Sequence, residues 1–354
     1  MAARIWRSAL TRSISNFEDS MMETSHKVSI GMPLYNAERY LRESLDCLLS
    51  QTFGDFELVI SDNGSTDATE AICVDYAKRD GRIKYHRENE NRGAIWNFNR
   101  VFELSRGEYF KFAAYDDLLH ETFLQRCVGC LDDDPDVVWC HSLTNHIDAT
   151  GNVISATNDP SILGDEKAHS LLFAGFGMPE QTRASATPHQ RFSGVLLGTT
   201  WCADSYGLIR AAALKRTHLL RPCYGSEKVL VGELSLQGRY AEIPETLFFA
   251  RIHGEASGAL LSAAAQRTFV AGATRHRFSS TRWDLLKGHL GAIRHAPLTY
   301  TEKLRCVSSL MRYVLQLQKW KKIIAQAATG IGVGAEARSE QDFSECARVS
   351  GTNG

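Results

Sequence analysis

The stretch "VSIGMPLYNAERYLRESLDCLLSQTFGDFELVISDNGSTDAT", residues 28–69, contains two apolar runs separated by a helical pattern. The first run predicts a short buried strand within 27–36. Residues 37–51 place apolar side chains at 41, 45, 48 and 49, the spacing of an amphipathic helix. Residues 56–62 are a second apolar run that breaks into turn residues. This order predicts two parallel strands joined by a right-handed crossover.

The same rhythm continues as far as residue 114. Helical patterns at 67–80 and after the loop at 88–93 alternate with strand patterns at 83–86 and 108–114. Further along, 136–142 is strand-like, 145–154 resembles a hairpin that turns at Gly151, and 275–326 is mostly helical. Residues 155–190 are rich in turn residues and are a candidate binding loop or lid. The pattern predicts an α/β fold in three layers, with a mostly parallel sheet and a C-terminal helical extension.

Acidic residues follow two of the predicted parallel strands. Asp62 ends the second strand, and Asp116 and Asp117 follow the fourth. The carboxyl ends of parallel strands open on one edge of the sheet, where ligands bind. Carboxylates gathered there suit Mg²⁺ or Mn²⁺, which neutralise a diphosphate. The alternative is that Asp117 caps a helix over 118–131 and that Asp116 is simply its neighbour.

Taken in order, these segments resemble the family 2 glycosyltransferases of the GT-A fold. The similarity lies in "PLYN" (33–36), "QT" (51–52), "SDNGSTD" (61–67) and "NENRGAIWNFN" (89–99). It is clear over 27 to about 151 and weaker to about 255, and the motifs are specific as an ordered set. The resemblance implies an inverting transferase that moves a sugar from a UDP- or dTDP-sugar type of donor to a hydroxyl acceptor, in surface polysaccharide or glycoconjugate synthesis.

The resemblance also assigns roles to particular residues. Pro33, Tyr35 and Asp62 correspond to the pocket for the nucleotide base, with Asp62 accepting a hydrogen bond from a pyrimidine N–H. The family carries Asp-x-Asp after the fourth strand, and here that register contains Ala114 and Asp116. Asp116 therefore corresponds to the ligand of Mn²⁺ or Mg²⁺. The alanine leaves open an alternative, a nucleotide-sugar-binding or scaffold protein that has lost catalysis.

The remaining candidate site residues lie later in the chain, apart from Arg92, which could contact a donor phosphate. Inverting transfer needs a general base near the acceptor hydroxyl. Glu227 begins a predicted helix and is our candidate; alternatively it only complements the helix dipole. Arg251 and His253 are two residues apart at the end of a predicted strand. We expect Arg251 to bind donor phosphate and His253 to complete the metal site, although both could be solvated edge residues.

Composition narrows the class of protein. The chain has 354 residues, 44% hydrophobic and 23% charged, and its formal net charge of −1 gives no sign of nucleic-acid binding. Nine irregularly spaced cysteines are typical of a reduced, cytoplasmic protein. Cys127 and Cys130 form a CxxC pair that we interpret as packed thiols. A zinc site with Cys140, His141 or His146 is the alternative.

We divide the chain into four segments: a disordered N-terminal extension (1–26), a catalytic domain (27–255), a basic helical extension (256–327) and a disordered tail (328–354). Residues 275–326 contain eleven Arg or Lys and two acidic residues, a balance of +9. A basic amphipathic helix can lie on the inner, anionic face of a membrane, near a lipid-linked acceptor. The alternative is a helix packed on the catalytic domain with a solvated basic face.

Overall fold

The computed structural model describes residues 26–154, 185–198, 203–254, 263–271 and 281–315. Within them the chain forms one sheet of eight strands. The strands, in chain order, are β1 (Val28–Leu34), β2 (Phe56–Asp62), β3 (Ile83–Arg87), β4 (Tyr109–Phe112), β5 (Leu118–Leu119), β6 (Val137–Ile147), β7 (Leu208–Arg210) and β8 (Arg239–Arg251).

The spatial order of the strands is β3-β2-β1-β4-β7-β6-β8-β5. β1 pairs in parallel with both β2 and β4, and β2 pairs in parallel with β3. β7 runs antiparallel to β4 and to β6, whereas β6 and β8 are parallel. β5 pairs antiparallel with β8 at the far edge. The chain therefore leaves β4 in the middle of the sheet and crosses to the opposite edge, and Asp116 and Asp117 lie on this crossing.

Helices cover both faces of the sheet because successive apolar side chains along each strand point to opposite faces. The helices are α1 (Glu38–Leu49), α2 (Thr69–Arg79), α3 (Ala94–Leu104), α4 (Phe123–Asp133), α5 (Pro188–Gly198), α6 (Ala211–Leu214), α7 (Glu227–Gln237), α8 (Ala263–Ala271), α9 (Thr281–His295) and α10 (Tyr300–Leu315). Ile30 and Leu58 pack with α1, α2 and α4 on one face. Val59 and Phe110 pack with α3 and α7 on the other. The predicted three-layer α/β fold is confirmed.

The C-terminal helices pack on the sheet domain through a third apolar cluster. Phe192 of α5 and Leu236 of α7 contact Ile293 of α9 and Leu310 of α10 in this cluster. Among the described residues, none of the helices is both long enough and apolar enough to traverse a lipid bilayer.

One predicted helix has the wrong start. The alternative interpretation placed a helix over 118–131 with Asp117 as its cap, but α4 begins at Phe123 with Thr122 at its N-cap position. Leu118 and Leu119 instead form β5, because they pair with Phe249 and Phe248 of β8. The hairpin prediction is confirmed: Ile147 bridges Val153, and Gly151 takes a φ of 90° in the turn. The predicted disordered ends, and residues 155–184 of the predicted loop, lie outside the described residues.

His289 lies buried in the helical unit with a shifted pKa. Its side chain packs against Phe192 and Gly232, and neither ring nitrogen has a hydrogen-bond partner among the described residues. Burial, together with the positive charges of Lys228 and Arg221, lowers the pKa of His289 to about 3. The folded protein therefore holds this imidazole neutral at pH values where an exposed histidine is protonated.

This burial predicts a loss of stability in acid. As the pH falls from about 6.5 toward 5, the unfolded chain protonates His289 and the folded chain does not, so this contribution to the free energy of unfolding falls by about 2 kcal/mol. Urea unfolding at several pH values measures the change. His289→Leu should flatten the dependence, whereas His295→Leu, at the exposed end of the same helix, should not. An unchanged slope in His289→Leu would contradict this account.

Candidate active site

Asp62 organises the turn that follows β2. Its carboxylate is completely buried. One oxygen accepts a hydrogen bond from the backbone N–H of Ser65 at 2.9 Å, and the other accepts from the Tyr85 hydroxyl at 2.8 Å. Arg87 Nε lies 3.5 Å from the same carboxylate. Asp62 is therefore an internal support of the turn, and its predicted contact with a nucleotide base stays a prediction.

The "SDNGSTD" motif also joins the starts of two helices. Asp67 accepts a hydrogen bond from the backbone N–H of Glu38, and Glu38 in turn accepts from the backbone N–H of Ala68. The Thr69 hydroxyl accepts from the backbone N–H of Ala37 at 2.8 Å. These bonds satisfy N–H groups that a helix leaves without partners in its first turn. No local sequence pattern indicates that the caps of α1 and α2 come from each other's loops.

Pro33, Tyr35 and Arg92 lie at the ends of neighbouring elements. Pro33 is buried in β1 opposite Ser61, whereas Tyr35, just beyond β1, is 45% exposed. The Arg92 guanidinium stacks 4.1 Å from the centre of the Trp96 ring, and its side chain is half exposed. The backbone N–H of Arg92 donates to Asn63 Oδ1, which ties this loop to the turn after β2. Tyr35 and Arg92 are thus accessible to a ligand at this edge.

Asp116 and His253 meet at the carboxyl edge of the sheet. His253 Nε2 lies 2.8 Å from Asp116 Oδ2, and the two side chains are 2% and 13% exposed. The Tyr40 ring packs 5.0 Å from the imidazole. Two donor atoms this close can bind the same cation. A carboxylate with an imidazole suits Mn²⁺, and the harder Mg²⁺ relies more on oxygen ligands. The sequence placed both residues in the metal site, and the structure brings them into contact.

Arg251 holds the turn that carries Asp116. Its Nε donates to the Asp116 carbonyl at 2.8 Å, and Nη1 donates to the carbonyls of Asp148 and Ala149 in the hairpin turn. Nη2 donates to Glu43 of α1 at 2.8 Å, and the guanidinium stacks on Tyr40. The side chain is only 1% exposed. Its donors are thus engaged within the protein, so the predicted phosphate contact gains no support from these bonds.

Asp117 also stabilises the turn that carries Asp116. It accepts a hydrogen bond from the backbone N–H of Arg251 at 3.0 Å, so it is not a helix cap. Burial and the neighbouring charge of Asp116 raise the pKa of Asp117. Lys111 of β4 is fully buried nearby and donates to the Tyr206 carbonyl. Burial lowers the pKa of Lys111 to about 8. The lysine inside the apolar run "YFKF" was the one sequence feature that indicated buried charge beside Asp117.

Glu227 is the first residue of α7, as predicted. Burial raises the pKa of its carboxyl. Burial, followed by the charges of Asp117, Asp116 and Glu227, raises the pKa of Tyr206, so these three carboxylates lie within electrostatic range of the same tyrosine. Glu233, the other glutamate of this helix, lies mid-helix and is bound by His218 and Arg221. Glu227 therefore stays the candidate base.

The cysteines of the CxxC pair lie in the core. Cys127 and Cys140 are buried and packed with the first apolar cluster, and Cys130 packs against it. In the part of the chain that the structure describes, no three His, Cys, Asp or Glu side chains are placed to hold a metal ion. The thiols therefore lack the ligand set that a zinc site requires.

Comparison with known proteins defines the class. Residues 29–186 match the family model "Glycosyl transferase family 2". The chain is 33% identical over 157 residues to the putative glycosyltransferase EpsH of Bacillus subtilis, covering 44% of each chain. It is 35% identical over 104 residues to glycosyltransferase GlyA of Streptococcus pneumoniae, covering 29% of this chain and 15% of that one. The chain thus spans less than half the length of these relatives.

Solved structures show the same fold. The structure of Staphylococcus aureus TarS 1–349 in complex with UDP superimposes with a TM-score of 0.55 at 17% identity, covering 89% of this chain and 78% of that one. The mannosyltransferase PcManGT from Pyrobaculum calidifontis, in complex with GDP-Man and Mn²⁺, gives a TM-score of 0.51 at 15% identity, with 92% and 81% covered. The protein has the GT-A fold, and its residues 29–186 belong to glycosyl transferase family 2.

The contacts of Arg251 predict a large effect on stability. Arg251→Ala leaves Glu43 and three carbonyl groups without their donor, and we expect the free energy of unfolding to fall by about 3 kcal/mol. Arg251→Lys should recover part of this loss, because a lysine keeps the charge but lacks the planar fork. Urea unfolding measures both. Arg216→Ala, an exposed arginine bound to Gln237, is the control and should stay within about 0.5 kcal/mol. Equal losses at both positions would show that Arg251 holds nothing together.

Proposed function

We propose that this protein is an inverting glycosyltransferase that moves a sugar from a nucleoside-diphosphate donor to a hydroxyl acceptor. The observation that carries the proposal is the contact between Asp116 and His253 at the carboxyl edge of the sheet. Ligands of open α/β sheets bind at this edge. The family places the chain among transferases, and these residues supply both a cation site and a base.

Asp116 and His253 are the residues that would hold a Mn²⁺ or Mg²⁺ ion. Their number fits, because such ions bind through one or two protein side chains and take their other ligands from substrate phosphates and water. The ion would neutralise charge on the departing diphosphate. Arg251 and Asp117 keep the turn in position, so we propose that Arg251 acts as a positioning residue. Its predicted role in donor binding would need one of its present bonds to break.

Glu227 is the proposed general base. Its carboxylate would accept the proton of the acceptor hydroxyl as the acceptor oxygen bonds to the anomeric carbon. The bond from that carbon to the diphosphate breaks on the opposite face, so the configuration inverts. The raised pKa of the partly buried carboxyl makes Glu227 a stronger base than an exposed glutamate. Burial also lowers the water content around the reacting groups.

The donor would lie across β1 and β2 toward Asp116. We propose that Pro33, Tyr35 and Asp62 form the base pocket and that Arg92 contacts a phosphate. The resemblance favours a UDP- or dTDP-sugar donor, with the Asp62 carboxylate accepting from a pyrimidine N–H. Because this carboxylate is completely buried, that contact would require the turn after β2 to move. The solved TarS structures include complexes with UDP and with UDP-GlcNAc, which is compatible with this choice. The acceptor would be a sugar or lipid-linked hydroxyl in polysaccharide or glycoconjugate synthesis, used at the cytoplasmic face.

Adjacent aspartates allow a matched test of the cation site. We expect Asp116→Asn to lower Mn²⁺-dependent hydrolysis of the donor by about 100-fold or more, because the cation loses its carboxylate. Asp117→Asn should retain most activity, since an amide oxygen can still accept from the Arg251 N–H. A panel of nucleotide sugars, with and without Mn²⁺, provides the assay. The opposite pattern would place the metal ligand at Asp117.

The proposed base predicts a separate effect on turnover. Glu227→Gln should lower kcat by about 10²- to 10⁴-fold while the donor dissociation constant stays unchanged. In the wild type, kcat/KM should fall as the pH drops through the raised pKa of Glu227, because the protonated carboxyl cannot accept a proton. Calorimetry and transfer assays separate binding from chemistry. Donor binding by the wild type without turnover on any acceptor, and no effect of Glu227→Gln, would favour the non-catalytic alternative suggested by Ala114.

A further inference from the structure

The two C-terminal helices expose large apolar side chains. Nine such side chains are exposed among the described residues, and six of them lie on α9 and α10: Trp283, Leu290, Tyr300, Leu304, Met311 and Leu315. Their exposed fractions run from 51% to 77%. Scattered apolar residues are normal on a protein surface, but concentration on two adjoining helices marks an interaction surface.

The spacing on α10 places four of these residues along one face. Leu304 and Met311 are seven residues apart, and Tyr300 and Leu315 lie four residues beyond them at either end. This interval of three to four residues keeps the side chains on one side of a helix. The helix is attached to the rest of the protein by its other side, where Cys306, Leu310 and Tyr313 are buried against α5. The exposed stripe therefore contributes nothing to the packing of α10.

Basic residues flank the stripe. Arg305 and Arg312 are exposed on α10, and Lys287 and Arg294 are exposed on α9. The two acidic residues of these helices are already engaged: Glu302 contacts His189 and Arg305, and Asp284 lies 3.8 Å from Lys287. In the sequence, "KWKK" follows at 319–322 and continues the combination of basic and aromatic residues.

We propose that this surface, Tyr300, Leu304, Met311 and Leu315 with their flanking basic residues, docks on an anionic lipid membrane. Apolar side chains flanked by Arg and Lys on one helix are the features that let a helix lie in the membrane interface. Basic groups next to it gain from anionic headgroups. A second copy of the chain fits less well, because a symmetric contact through this surface would place Arg305 and Arg312 against the same residues of the partner.

α9, which packs beside α10, contacts the helix that carries the proposed base. At Gly288 of α9 an added Cβ would lie 2.9 Å from Val229 of α7, and Leu285 approaches Gly225, two residues before Glu227. Docking would therefore bring the Glu227 end of α7 near lipid headgroups. This part rests on the proposed function, and it specifies the acceptor class as a hydroxyl on a lipid-linked molecule.

Co-sedimentation of the full chain with vesicles tests the proposal. Vesicles of phosphatidylglycerol and phosphatidylcholine are compared with pure phosphatidylcholine at about 50 mM and about 500 mM salt. We expect binding to the anionic vesicles at low salt, and release at high salt. Leu304→Gln with Met311→Gln, and Arg305→Gln with Arg312→Gln, should each weaken the partition by about tenfold. Lys78→Gln with Lys215→Gln removes the same charge from exposed positions elsewhere and should change it less than twofold.

Three results would overturn the proposal: equal binding to neutral vesicles, stripe variants that bind like the wild type, or a control pair that weakens binding as much. Light scattering provides a fourth such result. The proposal would be overturned if the wild type formed a dimer but did not bind vesicles, and if Leu304→Gln with Met311→Gln made it monomeric. Donor hydrolysis without lipid, measured in parallel, separates this proposal from the proposed function. Vesicle binding without donor hydrolysis would support the membrane-docking surface and contradict the proposed enzymatic function. Donor hydrolysis without vesicle binding would support the enzymatic function and contradict the docking surface.

Discussion

The hydrogen bonds of Arg251 fix the geometry on which the rest of the site depends. The buried guanidinium of Arg251 donates to the Asp116 carbonyl, to the turn of the hairpin after β6 and to Glu43 of α1. The backbone N–H of Arg251 donates to Asp117. Together with Arg251 itself, these groups come from four separate parts of the chain. A buried arginine is stable only when its donors are satisfied, so the four parts must adopt one arrangement together. Asp116 meets His253 because that arrangement leaves them 2.8 Å apart.

The sheet topology explains why the hydrogen bonds of Arg251 are needed. β4 lies in the centre of the sheet and β5 at its edge, so residues 113–117 cross over the ends of the intervening strands without a strand partner. On the β1–β2 side, the turn after Asp62 is held by side-chain caps between α1 and α2. The site is therefore built from two halves. In the proposed mode of binding, a nucleotide would lie over the half formed by β1 and β2, and the diphosphate and acceptor would lie at the half formed by Asp116, His253 and Glu227.

The sequence predicted the part of this arrangement that depends on local pattern. The alternation of strand and helix up to β4 and the edge position of Asp62 and Asp116 follow from periodicity. The metal role of Asp116 came from family resemblance, and that of His253 from its position at the end of a predicted strand. The predicted start of α4 was wrong because Leu118 and Leu119 pair with β8, about 130 residues later in the chain. A pairing between such distant segments leaves no pattern in the local sequence. The same reason hid the roles of Glu43 and Lys111: each is set by a distant partner, not by its neighbours in sequence.

The central claim is that Asp116 and His253 hold a divalent cation against a diphosphate. Pulsed electron paramagnetic resonance of the full chain with Mn²⁺ and UDP observes this directly, because ligand nuclei couple to the metal electrons. The account predicts a ¹⁴N coupling from an imidazole and a ³¹P coupling from the diphosphate on the same ion. The ¹⁴N coupling should disappear in His253→Gln. A bound Mn²⁺ that shows the ³¹P coupling with no imidazole nitrogen, or the same ¹⁴N coupling in His253→Gln, would contradict it.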